Sequence, residues 1–277
     1  MATHRRSRFG RAVILATLAS LAVAAPAAAH GGGHPRPAVN EAAGGAVKLR
    51  DCWMTVGYLP RPAARLLEVF RMPPDLSQTF YGRDPLLGVW ALSCARAKVG
   101  EDRVGRVIVS LVGVPMGLTS VGAPPLANFF AHSLIAVDTS SPALARALRR
   151  AGLPGRVART ARYRHSRPGV LPFTGKLTVP GRYRLRVSAR EPDPTNPHDH
   201  SNLFSYRGRT GRVTQLGLSA GSAFDRFCLP ASGGCRASLG AERGSGLGRL
   251  FGDPSAPARI GFDHVKLSRV GLALGGA

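Results

Sequence analysis

The chain has 277 residues, of which 44% are hydrophobic and 6% aromatic, and it carries a formal net charge of +23. This length is sufficient to bury a hydrophobic core, in one β-rich domain or in two small ones. Basic residues are spread through every segment and aromatic residues are few, which argues against a dedicated nucleic-acid surface.

Residues 1–29 have the parts of a secretory signal peptide. Four arginines precede an apolar stretch from Ala12 to Ala25, and Ala27-Ala28-Ala29 is typical of a cleavage site. The apolar stretch is shorter than the roughly 20 residues that a membrane-spanning helix needs. We therefore predict a secreted, extracytoplasmic and soluble protein without a transmembrane segment. Removing these four arginines from a chain of net charge +23 leaves +19, which favours acidic partners such as anionic cell-envelope polymers.

Residues 30–50 follow as a leader that is rich in Gly, Pro and Ala, and we predict that they are disordered. Cleavage after Ala29 would make His30 the mature N-terminus, where an amine and an imidazole together can chelate copper. A flexible tail with incidental histidines is the alternative. The folded domain is then expected to cover residues 51–277.

All four cysteines lie in the exported part of the chain, where an even number indicates disulfides. Cys228 and Cys235 flank a short flexible loop, so we predict that they pair with each other, which leaves Cys52 to pair with Cys94. A four-cysteine zinc site is the alternative, but no C-x-x-C spacing supports it.

Several β-rich runs are separated by turn signals and predict a largely antiparallel sheet. Val104–Pro115 has Val, Ile or Leu at most positions, and Leu86–Cys94 has no clear alternation, so both of its faces are expected to be buried. Thr174–Arg190 alternates apolar and basic residues around Pro180-Gly181, which indicates a half-buried hairpin. Further strands are predicted at Gln78–Tyr81, at Leu86–Lys98, at Ser201–Tyr206, at Arg212–Leu218 and at Arg259–Leu274.

Two helices are predicted from apolar spacing. The first contains Ala63, Leu66, Leu67 and Phe70. The clearest helix follows the strand that ends at Asp138: residues 138–141 offer side-chain oxygens for an N-cap, Pro142 suits the first turn, and Gly152 and Pro154 end it. Its apolar face consists of Leu144, Ala147, Leu148 and Ala151.

Residues 191–200, EPDPTNPHDH, contain three prolines and are predicted to form a loop. The loop is also dense in potential metal ligands, among them His198 and His200. A solvated acidic turn in a basic protein is the alternative, because a loop does not fix the geometry that a metal needs.

The order of these elements resembles that of the acetoacetate decarboxylase family. The resemblance is carried by the strand that ends at Asp138, the helix after it, Leu153-Pro154, and the final Phe262-Asp263. It implies an α+β fold, mainly antiparallel β, with a single β-barrel-like domain and a few flanking helices.

The same resemblance implies where a site would lie. In the family a lysine pair follows this proline, and one of the lysines forms a Schiff base with the substrate, whereas this chain has Gly155 and Arg156. A guanidinium stays protonated and is not nucleophilic, so it cannot replace the amine. The family also places carboxylates on the barrel strands, and the equivalents here are Trp90, Leu92 and Ser93.

Three functions follow from these observations. The one we favour is a binding protein without cofactor or Schiff base, whose ligand is a small acid, a lipid or another apolar molecule contacted by Arg156, Gly155, Trp90 and Ser93. In it, Arg156 would clamp a carboxylate or phosphate. The alternatives are an active decarboxylase-like enzyme or other lyase, and a secreted metal- or envelope-binding protein that uses His30, His198 and His200 or the net charge.

Overall fold

The computed structural model describes residues 46–60, 76–78, 80–81, 84–118, 129–166, 172–189, 193–195, 199–228, 235–242, 245–251, 257–258 and 260–276. These residues form seventeen strands and two short helices. The strands are β1 (Ala46–Pro60), β2 (Leu76–Gln78), β3 (Phe80–Tyr81), β4 (Asp84–Val99), β5 (Asp102–Val104), β6 (Val107–Leu118), β7 (Phe129–Thr139), β8 (Gly155–Val157), β9 (Arg162–His165), β10 (Phe173–Val179), β11 (Tyr183–Ala189), β12 (Asp193–Thr195), β13 (Asp199–Arg207), β14 (Val213–Cys228), β15 (Cys235–Ala241), β16 (Pro257–Ala258) and β17 (Ile260–Gly276). The helices are α1 (Pro142–Arg150) and α2 (Gly246–Phe251).

Seven of the described strands close into a barrel. Their order around the ring is β6-β4-β1-β17-β14-β13-β7, and β7 pairs again with β6. All of these neighbours are antiparallel except β13 and β7, which run parallel. The predicted fold, mainly antiparallel β with a barrel and few helices, is confirmed.

A second sheet packs on the outside of the barrel. Its five described strands have the order β16-β15-β11-β10-β9, and the predicted hairpin around Pro180-Gly181 is its β10–β11 pair. Leu177 and Leu185 of this sheet share one apolar cluster with Leu87 and Val89 of the barrel wall. Because residues 87–94 of β4 are covered by this sheet on one face and line the barrel on the other, this part of the strand is buried on both faces, as predicted.

The barrel interior is a second apolar cluster. On the neighbouring strands β1 and β4, the alternation of buried and exposed residues shifts by one residue, and the two shifts lie side by side. On β1 two exposed residues separate the buried Leu49 and Cys52, and on β4 two exposed residues separate the buried Cys94 and Ala97. Asp51, at the change on β1, has a φ of 53°, in the left-handed region that Asp tolerates better than most residues. Each strand therefore places apolar side chains in the barrel interior on both sides of this shift.

The predicted pairing of Cys52 with Cys94 is confirmed by the structure. The two residues lie directly opposite each other on β1 and β4, and a disulfide joins them with Cα atoms 3.9 Å apart. Cys228 ends β14 and Cys235 begins β15. Their side chains lie outside the described part of the chain, so their pairing stays a prediction.

Helix α1 begins and ends where the sequence indicates. Oγ of Ser141 accepts a hydrogen bond from the backbone N–H of Leu144 at 3.2 Å, Pro142 opens the helix, and Gly152 follows its end with a φ of 82°. The buried face includes Ala147 and Leu148. Neither described helix is long and apolar enough to cross a membrane.

Two predicted boundaries differ from the structure. Strand β1 begins at Ala46, although residues 46–50 are predicted to belong to the disordered leader. Buried Val47 and Leu49 alternate with exposed residues, as expected for a strand that pairs with β17 and β4. Residues 193–195 form strand β12, although the prolines of this segment predicted a loop. Pro194 is tolerated because β12 is an edge strand that, among the described strands, pairs only with β14. The predicted helix around Ala63–Phe70 lies outside the described residues.

Candidate functional site

The four residues predicted to contact a ligand occupy three different places. Trp90 is buried inside the barrel and only 1% exposed, whereas Ser93 lies on the other face of β4, where Arg106 donates to its Oγ at 3.4 Å. Gly155 is buried and Arg156 is exposed, both on β8. Among these positions, only Trp90 faces the barrel interior with a large side chain.

Gly155 stands where the family resemblance places one lysine of the Schiff-base pair, and helix α1 fills the space beside it. A Cβ atom at this position would lie 2.6 Å from Cβ of Leu148 and 2.9 Å from the carbonyl oxygen of Ala145. Real Cβ atoms essentially never approach other atoms this closely. No side chain can begin at Gly155 unless the helix moves.

Inside the barrel, His132 of β7 has one ring nitrogen that bonds to no described residue. Its Nε2 atom lies 2.8 Å from Oδ1 of Asn202, whereas its Nδ1 atom makes no hydrogen bond within the described part of the chain, although the residue is only 1% exposed. Burial lowers the pKa of His132 to about 4, and the bond to Asn202 opposes this shift. The ring is therefore neutral at pH 7. Because the Asn202 oxygen accepts, Nε2 carries the proton and Nδ1 is a bare acceptor.

Aromatic rings surround this imidazole. The Trp90 ring meets it edge-on with centroids 4.5 Å apart, and the Phe204 ring stacks on it at 4.7 Å. The indole has room because the wall beside it is glycine: a Cβ atom at Gly88 would lie 2.3 Å from Cη2 of Trp90. We refer to Trp90, His132, Asn202 and Phe204 as the barrel cluster.

Sequence reasoning found Trp90 but missed the other three members of the barrel cluster. A signal was present, because Asn202 and Phe204 are two apart on a predicted strand and so share one face. The sequence did not indicate which strand lies beside that face. His132 lies opposite Phe204 through a parallel pairing between segments 72 residues apart.

Comparison with solved structures identifies the architecture. No protein-family model matches the sequence, and no curated protein sequence matches it. The acetoacetate decarboxylase of Legionella pneumophila superposes with a TM-score of 0.54 at 12% identity, over 92% of this chain and 92% of that one. The chain has the acetoacetate decarboxylase-like fold.

Two further structures with this fold are similar to the chain. The enduracididine biosynthesis enzyme MppR, with HEPES buffer bound, has a TM-score of 0.54 at 14% identity, over 92% of this chain and 97% of that one. An acetoacetate decarboxylase-like enzyme from Sphingomonas wittichii RW1 has a TM-score of 0.50 at 10% identity, over 86% and 94%. At these identities the likeness establishes the fold alone.

The described lysines of this acetoacetate decarboxylase-like barrel lie away from its interior. Lys48 and Lys176 are exposed, and Lys98 is half-buried in an ion pair of 2.9 Å with Glu101. The side chain of Lys266 is outside the described part. Schiff-base lysines are activated by desolvation of the amine, and neither Lys48 nor Lys176 is buried.

A second buried polar group joins the barrel to the outer sheet. Asp138 is 1% exposed; one carboxylate oxygen pairs with the guanidinium of Arg182, and the other accepts from the hydroxyl of Tyr183 at 2.9 Å. The same hydroxyl lies 3.0 Å from Oγ of Ser110. Burial raises the pKa of Tyr183 well above its ordinary value, and the charge of Asp138 adds to this, so the phenol stays protonated. We refer to Asp138, Arg182, Tyr183 and Ser110 as the Asp138 cluster. Its polar groups bond to one another, and they connect the barrel wall to the outer sheet.

The predicted metal ligands are not brought together by the described residues. His30 and His198 lie outside the described part, and His200 is described only as backbone at the start of β13. Within the described ranges, no group of three or more His, Cys, Asp or Glu side chains is placed to hold a metal ion. A metal site that uses His30, His198 and His200 stays a prediction.

Proposed function

We propose that the chain is an exported binding protein whose acetoacetate decarboxylase-like barrel holds a small acidic or apolar ligand without forming a Schiff base. The observation that carries this proposal is the unpartnered Nδ1 of His132. A buried polar atom left without a hydrogen bond is costly and uncommon in folded proteins. A ligand in the barrel would supply the partner.

The barrel cluster defines the chemistry of that ligand. The faces and edges of Trp90 and Phe204 favour an apolar body. Nδ1 of His132 is an acceptor, so the ligand would present an O–H or N–H group to it. A carboxylic acid would meet this nitrogen in its protonated form or through a neighbouring hydroxyl, because a carboxylate oxygen facing an acceptor nitrogen makes no hydrogen bond.

The absence of Schiff-base chemistry in this proposal rests on the position of the described amines. Gly155 and Arg156 replace the lysine pair, Leu148 fills the space beside Gly155, and the described lysine side chains lie at the surface. We expect that borohydride reduction in the presence of acetoacetate leaves no lysine adduct detectable by peptide mass spectrometry. A stoichiometric adduct on any lysine would favour the enzyme alternative.

Ligand binding is tested on the mature protein by thermal unfolding with medium-chain fatty acids, hydroxy acids and aliphatic alcohols. We expect at least one of these compounds to raise the Tm and to shift the ¹⁵N resonance of the His132 Nδ1 atom. The double variant His132→Phe with Asn202→Leu removes both polar partners, so neither is left unsatisfied. It is expected to abolish the ligand-induced shift in Tm.

The matched control is the double variant Thr55→Val with Tyr163→Phe. It removes a buried hydroxyl pair of similar size that lies between the barrel wall and the outer sheet, and it should keep the ligand-induced shift. If no compound in the panel raises the Tm, or if both double variants lose the shift alike, the barrel cluster is not a ligand site.

A further inference from the structure

The outer sheet presents one face to solvent, and that face is basic. Eleven described positions on β9, β10, β11 and β15 point away from the barrel, and they include six basic residues, five hydroxyl or glycine residues and no acidic residue. The six basic residues are Arg162, Arg164, Lys176, Arg184, Arg186 and Arg236. We refer to these six as the basic face. The arginines look scattered along the sequence, but the fold collects these onto one surface.

The register places like charges directly opposite one another. Arg164 pairs with Lys176, and Lys176 pairs with Arg186, so three cations form a row across three strands. Neighbouring strands lie about 4.8 Å apart, and like charges at this spacing destabilise a sheet. No member of the basic face forms a salt bridge with a described acidic residue; the three described salt bridges lie elsewhere. Within the described part of the chain, no salt bridge offsets this repulsion.

The basic face contains two depressions in which an anionic group could bind. One has a volume of about 330 Å³ and is lined by Arg162, Arg164, Lys176 and Arg184, together with the hydroxyls of Thr160 and Thr178. The other, of about 450 Å³, shares Arg184 and Pro180 with the first and also includes Arg186 and Glu242. Guanidinium groups and hydroxyls in one depression match the oxygens of a phosphate group. Arg184 and Pro180 line both depressions, so the two lie next to each other on this face.

We propose that the basic face binds a linear, phosphate-bearing polyanion that has no bases. Its phosphate groups would occupy the first depression and extend along the Arg164–Lys176–Arg186 row, where they neutralise the repulsion. None of the eleven outward positions is aromatic, so bases would find nothing on which to stack. None is a large apolar residue, so the face has nothing to insert into a bilayer. This inference does not depend on the barrel ligand.

The experiment measures binding of the mature protein to long-chain inorganic polyphosphate by titration calorimetry at several salt concentrations. The triple variant Arg164→Gln, Lys176→Gln and Arg186→Gln is expected to weaken binding by roughly tenfold or more and to flatten the salt dependence, because ionic contacts are lost. The matched control, Arg103→Gln with Arg146→Gln and Arg150→Gln, removes three exposed charges elsewhere. It should lower the affinity much less.

Stability and competing ligands complete the test. The triple variant should unfold at the same urea concentration as the parent or at a higher one, since it relieves the cross-strand repulsion. Equal loss of binding in the two triple variants would show that only net charge matters and would overturn the site. A single-stranded oligonucleotide of equal charge, or a phosphatidylglycerol vesicle, that binds the basic face more tightly than polyphosphate would overturn the assigned partner.

Discussion

The hydroxyl of Tyr183 donates a hydrogen bond to Oδ2 of Asp138 at 2.9 Å, and this bond connects the outer sheet to the barrel wall. Asp138 is also paired with Arg182, the turn residue just before Tyr183, so one buried carboxylate binds the turn and the first residue of β11. Breaking a buried ion pair leaves a charge without compensation. We expect Asp138→Asn to lower the free energy of unfolding by about 3 kcal/mol, as measured by urea denaturation.

The control for this prediction is the same substitution at an exposed ion pair. Asp51→Asn removes the carboxylate that faces Arg96, where the two side chains are 53% and 67% exposed, and Asn tolerates the left-handed backbone at this position. We expect a loss below about 1 kcal/mol. Similar losses of unfolding free energy in the two variants would show that the Asp138 cluster does not stabilise the contact between the barrel and the outer sheet.

A lysine introduced at Gly155 is expected to destabilise the protein rather than to create a Schiff-base enzyme. Its Cβ atom would overlap with Leu148 and Ala145 of helix α1, and overpacking of this kind costs about 1–3 kcal/mol. Urea denaturation of Gly155→Lys measures the loss, and borohydride trapping with acetoacetate tests the chemistry. The control Gly105→Ala has open space around its new Cβ atom and should leave stability nearly unchanged. A stable Gly155→Lys variant that traps the keto acid would contradict this account.

The neutral state of His132 predicts a loss of stability in acid. Its pKa is about 4 in the folded protein against 6.5 when exposed, so the unfolded chain binds the proton more readily throughout this window. The stability that the neutral imidazole contributes is therefore present above pH 6.5 and is lost as the pH decreases towards 4, by about 3 kcal/mol in total. Urea denaturation at pH 7 and pH 4 measures it. Between pH 7 and pH 4, the variant His132→Phe with Asn202→Leu should lose about 3 kcal/mol less unfolding free energy than the parent protein. An equal loss in the two proteins would mean that His132 is not buried in its neutral form.

Loss of the Cys52–Cys94 disulfide is expected to cost about 4 kcal/mol, given its sequence separation of 42 residues. Thermal unfolding of the double variant Cys52→Ala with Cys94→Ala, with and without reductant, measures the effect. The variant Cys228→Ala with Cys235→Ala should lose about 2.5 kcal/mol if these two residues pair as predicted. Non-reducing peptide maps that show free thiols at all four positions would contradict both pairings.

Arg156→Ala tests the anion clamp that the sequence predicted. Arg156 is exposed on β8, so we expect the ligand-induced shift in Tm to be the same as in the parent protein. Arg159→Ala, a nearby exposed position, is the control. A shift that is lost in Arg156→Ala and kept in Arg159→Ala would show that this arginine contacts the ligand, as the sequence predicts.

Local signals in the sequence predicted local structure well. The strand that ends near Asp138, helix α1 and the hairpin at Pro180-Gly181 depend on caps, turns and periodicity within a few residues, and the structure has all three. One detail is different: Asp138 was among the candidate N-cap residues, but Ser141 caps the helix. The carboxylate of Asp138 instead binds Arg182 and Tyr183, more than forty residues further along the chain.

The sites depend on pairings between distant segments, and these could not be read from one sequence. The barrel cluster needs β4, β7 and β13 to meet, and β7 joins β13 through a parallel pairing whose register no turn defines. The basic face likewise needs β15 to pair with β11 across a long connection. Alternation along each strand predicted that its arginines face solvent, but not that the arginines of four strands face it together.

The shared change of phase on β1 and β4 makes the alignment of these two strands unique. If β1 slipped by a single residue against β4, its exposed pair would no longer lie level with that of β4, and an arginine or aspartate would turn into the barrel. Cys52 would then face a position of β4 that holds no cysteine. The pattern of buried and exposed residues thus favours the same alignment that the disulfide secures.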